Sequence, residues 1–261
     1  MNGPGKIFFR EHPWLKLGIP LAVVTVTVLG FLGWWTFVAK EREEIIVLAP
    51  FSEHVRVPDY SGKLVALTFD DGPSPATTPR LLEILKEKNV RATFFELGTL
   101  ARNNPDLVRQ VAANGNEVAS HTMYHQNFSR MSAGAISSDI AAANAVFYEI
   151  LGKYPSLVRT PYGINNAAAR NAANAPIILW TVDTLDWKNK NAAMVRDEAV
   201  GSAFDGAIIL MHDIHPTTVD AVAEIIDGLR ANGYELVTVS QLAEIRGVTL
   251  NNGETYGSFR P

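Results

Sequence analysis

The chain has 261 residues, 47% of them hydrophobic, a formal net charge of -4 and no cysteine. Its length fits one sizeable globular domain with extras, and a domain of roughly 190 residues can rest on its core without cross-links. The missing cysteines exclude disulfides, thiol catalysis and cysteine metal sites, and no basic patch with interleaved aromatics points to nucleic acid.

The first element in chain order is residues 17–39, which carry no charge and are rich in Val, Leu, Phe and Trp. As a helix this stretch would reach about 35 Å, enough to cross a membrane's hydrocarbon core. Trp34 and Trp35 stand near one end, where indoles favour the interface. A cleavable signal peptide would carry a shorter apolar region, about 7–15 residues, ending in small residues. Phe37-Val38-Ala39 puts a bulky ring where a small residue is wanted, so the reading is an uncleaved transmembrane anchor. Lys6, Arg10 and Lys16 precede the span, and Lys40 and Arg42 follow it. The slight bias favours a cytoplasmic 1–16 segment and an extracellular domain, giving a single-pass protein of the cell membrane. Residues 40–61 read as a linker, with Pro50 and Pro58 as breakers.

From 62 to 247 strands and helices alternate. The strand candidates are 64–69, 92–96, 117–120, 157–160, 177–182, 207–211 and 235–239. The helix candidates are 78–88, 105–114, 133–151, 192–203 and 218–232. Leu81, Leu82 and Leu85 form one apolar stripe at helical spacing, and Val222, Ile225, Ile226 and Leu229 another; both are core. Such alternation predicts an α/β fold of parallel strands, a short barrel in preference to an open sheet. Residues 248–261, with Asn251, Asn252, Gly253 and Gly257, read as a loose C-terminal tail. There is no internal repeat.

Titratable residues recur where these strands end. Val65 to Phe69 runs into Asp70-Asp71-Gly72-Pro73; His121 and His125 follow the third strand; Arg159 closes the fourth. Asp183 and Asp186 follow the fifth, and His212-Asp213 the sixth. In a parallel barrel that end is where active sites are built. A catalytic metal typically takes three His or carboxylate ligands and leaves a position open. His121 and His125 would share a face if their segment made one helical turn, and one carboxylate of the Asp70-Asp71 pair would complete the set. The second carboxylate could then act as general base beside a metal that acidifies water. The alternative is a solvated Asp pair opening the next helix. His212 ends a fully apolar run and could protonate a leaving group if a carboxylate kept it charged; the alternative is a structural histidine bonded to backbone. Arg159 could hold a carboxylate bidentately or make an ordinary salt bridge. His54 and His215 stand outside this pattern, though His215 lies near enough to His212 to reach the rim.

Five stretches together resemble the polysaccharide deacetylase (NodB homology) family, carbohydrate esterase family 4. They are Thr68-Phe69-Asp70-Asp71-Gly72-Pro73, His121-Thr122-Met123-Tyr124-His125, Arg159-Thr160-Pro161-Tyr162-Gly163, Asp183-Thr184-Leu185-Asp186-Trp187 and Leu210-Met211-His212-Asp213. They fall in order across residues 63–247, with no departure at a catalytic position. The resemblance implies a distorted (β/α) barrel of about seven parallel strands and a divalent metal, usually Zn2+ but also Co2+, Ni2+ or Mn2+, on Asp71, His121 and His125. It implies Asp70 as general base oriented by Arg159, and His212 as general acid tuned by Asp186, with Asp183 as the alternative. A backbone N–H near Tyr162 would help hold the oxyanion, and Leu210 with Trp187 would line the acetyl groove.

The implied reaction removes N-acetyl groups from N-acetylglucosamine-type residues of a polysaccharide, releasing acetate. A membrane-held position points to peptidoglycan as the partner substrate. Chitooligosaccharide, poly-N-acetylglucosamine or an O-acetylated xylan are the alternatives, and nothing bears on oligomeric state. A phosphoryl-transfer enzyme would want a phosphate-binding loop beside Asp70 and leaves the histidines unexplained. A non-catalytic glycan-binding module would tolerate loss of Asp70 or His212, yet both are present.

Overall fold

The computed structural model describes residues 62–261. The expected cytoplasmic segment, anchor and linker lie outside the described residues, among which no helix is long and apolar enough to cross a membrane.

A parallel sheet covered on both faces needs strands that are apolar throughout. Two strands come near that demand: β1 (Lys63–Asp70) and β6 (Ala207–His212), paired in parallel from Val65 to Asp70. Their alternate residues point opposite ways. Val65, Leu67, Phe69, Ile209 and Met211 pack with Phe94 of β2 (Thr93–Glu96) under α1 (Thr78–Glu87) and, later in the chain, α8 (Pro216–Ala231). Leu64, Ala66, Phe95 and Ile208 pack on the other side with Leu242 and Phe259. Both predicted helical stripes are buried.

Around this pair the sheet runs β3–β2–β1–β6–β5, with β3 at Glu117–Ser120 and β5 at Val182–Asp183. β7 (Tyr234–Leu236) pairs with the first residues of β1, and β2 with its last. Every one of these ladders is parallel. Between β2 and β5 lie α2 (Gly98–Asn103), α3 (Pro105–Ala113), α4 (Ala133–Leu151), α5 (Ala167–Ala172) and β4 (Ile177–Ile178). The expected α/β fold of parallel strands is present.

Three details differ from the expectation of about seven full strands. The stretch 157–160 is reduced to bridges at Val158, one to Ser120 and one to Ile177. The stretch 177–182 is broken into β4 and β5 because its two halves serve opposite neighbours. Ile178 N donates to Val158 O at 2.8 Å, whereas Thr181 N donates to Ile208 O at 3.1 Å. At the break the carbonyls of Ile178 and Leu179 accept from the Arg159 guanidinium, both at 3.0 Å. The buried peptide groups that leave the ladder are thereby satisfied.

The third correction concerns 248–261, which is no loose tail. β8 (Thr255–Tyr256) pairs in parallel with β4, and Phe259 is buried in the core. Phe259 N donates to Gly206 O at 2.8 Å. Gly206 has φ +90°, and a Cβ there would stand 2.0 Å from Phe259 O, so only glycine fits. The polar Asn and Gly of this stretch made a packed end look like a loop.

After β5 come α6 (Asp186–Asn189), α7 (Ala192–Gly201), β6 and α8. α9 (Val239–Ile245) begins where the last strand was expected to end, started by a capping box of Thr238 and Gln241.

Candidate active site

The register of β1 on β6 places Asp70 opposite His212, and β2 on β3 brings Ser120, just before His121, alongside Glu96. All the candidate groups therefore meet beyond the strands' C-terminal ends.

His121 is buried, and its Nδ1 donates to the Arg159 carbonyl at 2.7 Å, which leaves Nε2 as a lone-pair donor facing the cup. Burial pushes this imidazole down to about 3, so it is neutral. Its Nε2 lies 3.5 Å from Asp71 Oδ1, and the Nε2 of His125 lies 3.4 Å from that same oxygen. Asp71 Oδ1 is buried with no hydrogen-bond partner. Ligand atoms held tetrahedrally about 2.1 Å from one ion stand about 3.4 Å apart, so spacing and chemistry both fit a divalent cation. Among the described residues these three are the cluster that could hold one.

The histidines do not converge by the expected helical turn. Residues 121–127 form no helix, and Thr122 (φ 71°) and His125 (φ 53°) are left-handed. Asp71 (φ 72°), Tyr162 (φ 59°) and Leu185 (φ 53°) are too, so among the described residues five of the seven non-glycine residues with positive φ line this one region. Such conformations persist where the surroundings over-determine them.

Asp70 is buried between this cluster and a guanidinium. Its Oδ1 accepts from Arg159 Nη1 at 2.7 Å, and its Oδ2 lies 3.7 Å from His121 Nε2. Burial raises the carboxyl above its ordinary range, although Arg159 opposes the rise. Arg159 is wholly buried. Its Nη1 also donates to Thr68 Oγ1 at 2.8 Å, and the guanidinium lies 4.0 Å over the Phe95 ring.

On the opposite wall His212 Nδ1 donates to Asp186 Oδ1 at 2.8 Å. Asp186 Oδ2 accepts from His212 N and from Thr218 Oγ1, both at 2.7 Å. Burial alone would lower the imidazole, but Asp186 outweighs it and the ring is pushed up to about 9. Asp186 itself is buried, yet its carboxyl falls below the usual range because His212 and Thr218 stabilise the anion. Asp183 is not the partner: its Oδ1 accepts from Leu185 N at 2.9 Å in a local turn.

Tyr162 and Trp187 are exposed at the rim, 63% and 49%, and the Tyr162 ring meets His125 edge-on at 4.7 Å. Leu210 is buried.

Sequence reasoning gave no role to Glu96, Asp139 or Asp213, all buried near the ligands. Asp213 lies in a quoted motif; it accepts from Thr78 Oγ1 and abuts Gly72, where a Cβ would meet it at 2.5 Å. Burial pushes its carboxyl up to about 7. Asp139 showed one signal, a lone carboxylate on the apolar face of Ile136, Ile140 and Ala143.

The family model for polysaccharide deacetylase matches residues 58–176. The chain is 39% identical over 188 residues to a peptidoglycan-N-acetylglucosamine deacetylase of Bacillus cereus, covering 69% of this chain and 88% of that one. The chain belongs to the polysaccharide deacetylase family. Another family member, the peptidoglycan-N-acetylglucosamine deacetylase PgdA of Listeria monocytogenes, is 39% identical over 206 residues, 77% of this chain. The chain spans only 44% of that protein's length. Among solved structures, the peptidoglycan deacetylase PdaC of Bacillus subtilis is 41% identical with a TM-score of 0.70, covering 72% of this chain and 94% of that one.

Proposed function

We propose that this protein removes N-acetyl groups from N-acetylglucosamine-type residues of a cell-surface polysaccharide, with peptidoglycan as substrate. The carrying observation is the buried, unpartnered Asp71 Oδ1 facing two imidazole nitrogens at 3.4 and 3.5 Å. The peptidoglycan relatives support the choice of polymer. The uncharged stretch 17–39 supports a membrane anchor with the catalytic domain outside.

Asp71, His121 and His125 would hold the divalent cation, Zn2+ by preference. When bound, it lowers the pKa of a water and polarises a carbonyl oxygen. Asp70, held by Arg159, takes the attacking water's proton as that water adds to the acetyl carbon. His212, charged by its bond to Asp186, gives a proton to the departing amine nitrogen, which leaves badly as an anion. The backbone N–H of Tyr162 contributes to holding the oxyanion. Trp187 and Tyr162 border the substrate at the rim, and Leu210 floors the acetyl groove.

Acetate release from N-acetylated peptidoglycan by the detergent-solubilised full chain is the direct test. Turnover falls to background after chelation and returns with added Zn2+; chelator-insensitive release refutes the reading. Chitooligomers and acetyl-xylan tested in parallel identify the polymer.

The acid's charge sets the alkaline side of the pH profile. His212 sits above the ordinary histidine value, so it stays protonated through neutrality, and activity declines as pH rises through about 9. Asp186 faces it from α6, Asp70 and Asp71 from the end of β1, and His215 from the start of α8. Asp186→Asn removes the main support, and the alkaline limb moves down toward the ordinary value of about 6.5. An unmoved limb in kcat against pH would show that His212 is not the acid.

A further inference from the structure

The segment that carries both histidines has an unusual amount to hold in place. Between His121 and His125 the backbone turns left-handed twice, at Thr122 and at His125 itself. Its first half is tied by backbone bonds. His121 N donates to Glu96 O at 2.8 Å, Gly98 N to Thr122 O at 2.9 Å, and Thr99 N to Met123 O at 3.2 Å. Two side chains add to these: Thr122 N donates to Ser120 Oγ at 3.2 Å, and, from the more distant α4, Asp139 Oδ1 accepts from Met123 N at 2.7 Å.

Asp139 is expensive where it stands. It projects from α4 among Ile136, Ile140 and Ala143, all buried, and is itself 5% exposed. A carboxylate there costs free energy unless it is satisfied. Its Oδ1 accepts the peptide N–H of the residue midway between the two ligands, and its Oδ2 is buried with no hydrogen-bond partner. Met123 is in turn fixed by its own side chain, which is fully buried against Gly98 and Ala143. The loop's midpoint is thus pinned by both its backbone and its side chain.

We propose that Asp139 is a positioning residue for the cation site, setting the separation of His121 and His125 through the Met123 peptide. This rests on the reading that Asp71, His121 and His125 hold a divalent cation. The carboxylate touches neither cation nor substrate; it acts by fixing the loop on which both imidazoles ride. Outer groups that orient metal ligands typically govern affinity by 10–100-fold.

The test measures Zn2+ affinity of the full chain by competition with a chromogenic chelator, and the visible absorption of the Co2+ form, which reports ligand geometry. Asp139→Leu removes the acceptor yet suits an apolar helix face; Asp139→Ala is the second removal variant, and Asp139→Asn keeps a carbonyl oxygen in place. The expected result is Zn2+ affinity about 10–100-fold weaker with an altered Co2+ spectrum in Leu and Ala, and recovery of most of the affinity in Asn. A merely structural role lowers the melting temperature of the metal-free chain but leaves affinity and spectrum as in the wild type, and that result in either folded variant overturns the proposal. Wild-type chain that binds no Zn2+, or His121→Ala that binds it as tightly as wild type, refutes the cation reading instead.

Discussion

Asp70→Asn is expected to lose nearly all of the proposed deacetylase activity while Zn2+ remains bound. The amide keeps the shape and can still accept from Arg159, but it cannot take a proton from water. Loss of a positioned general base is expected to reduce kcat by about 10²–10⁴-fold. His121→Ala behaves differently: it deletes one of three donors, and metal and activity disappear together. The metal content of each purified variant, set beside its kcat, separates the two roles. Equal metal loss in both would mean that Asp70 is a ligand, and the division between the paired aspartates would have to be redrawn.

Arg159→Met is expected to be the most damaging substitution for the fold. The guanidinium is wholly buried and serves four acceptors: Asp70, Thr68, and the carbonyls of Ile178 and Leu179. Removing it strands a buried carboxylate and two peptide oxygens at the break between β4 and β5. Breaking a buried pair from one side costs about 3–5 kcal/mol. Equilibrium unfolding in denaturant should show a loss of that size. Lysine at the same position restores the charge but not the planar fork, so it recovers only part. Full stability in Arg159→Met would show that the seam is held by packing alone.

Much of this was legible beforehand, for identifiable reasons. β1 and β6 are built on near-continuous apolar runs, Leu64 to Phe69 and Ala207 to Met211, so their burial follows from composition. α1 and α8 announce themselves by leucine and isoleucine at helical spacing. The site residues were legible because each terminates such a run, and the family resemblance sorted the two aspartates. What escaped were features with no periodicity. The break at 179–181 depends on which neighbour each half-strand pairs with, a tertiary matter. α2, α5 and α6 are four to six residues long, too short to show an apolar stripe. The approach of His121 to His125 was expected from a helical spacing, whereas left-handed residues accomplish it. Asp139 and Asp213 have partners distant in sequence, Met123 N and Thr78 Oγ1, so no local pattern assigned either a role.

The concentration of left-handed backbone around the cup bears on recognition. On the proposed function, a chain that has already adopted these costly shapes in the folded state has little left to rearrange on binding a glycan. The aperture is ready-made, and every incoming sugar meets the same mould. On the proposed function, discrimination among polymers falls to the exposed rings of Tyr124, Tyr162 and Trp187.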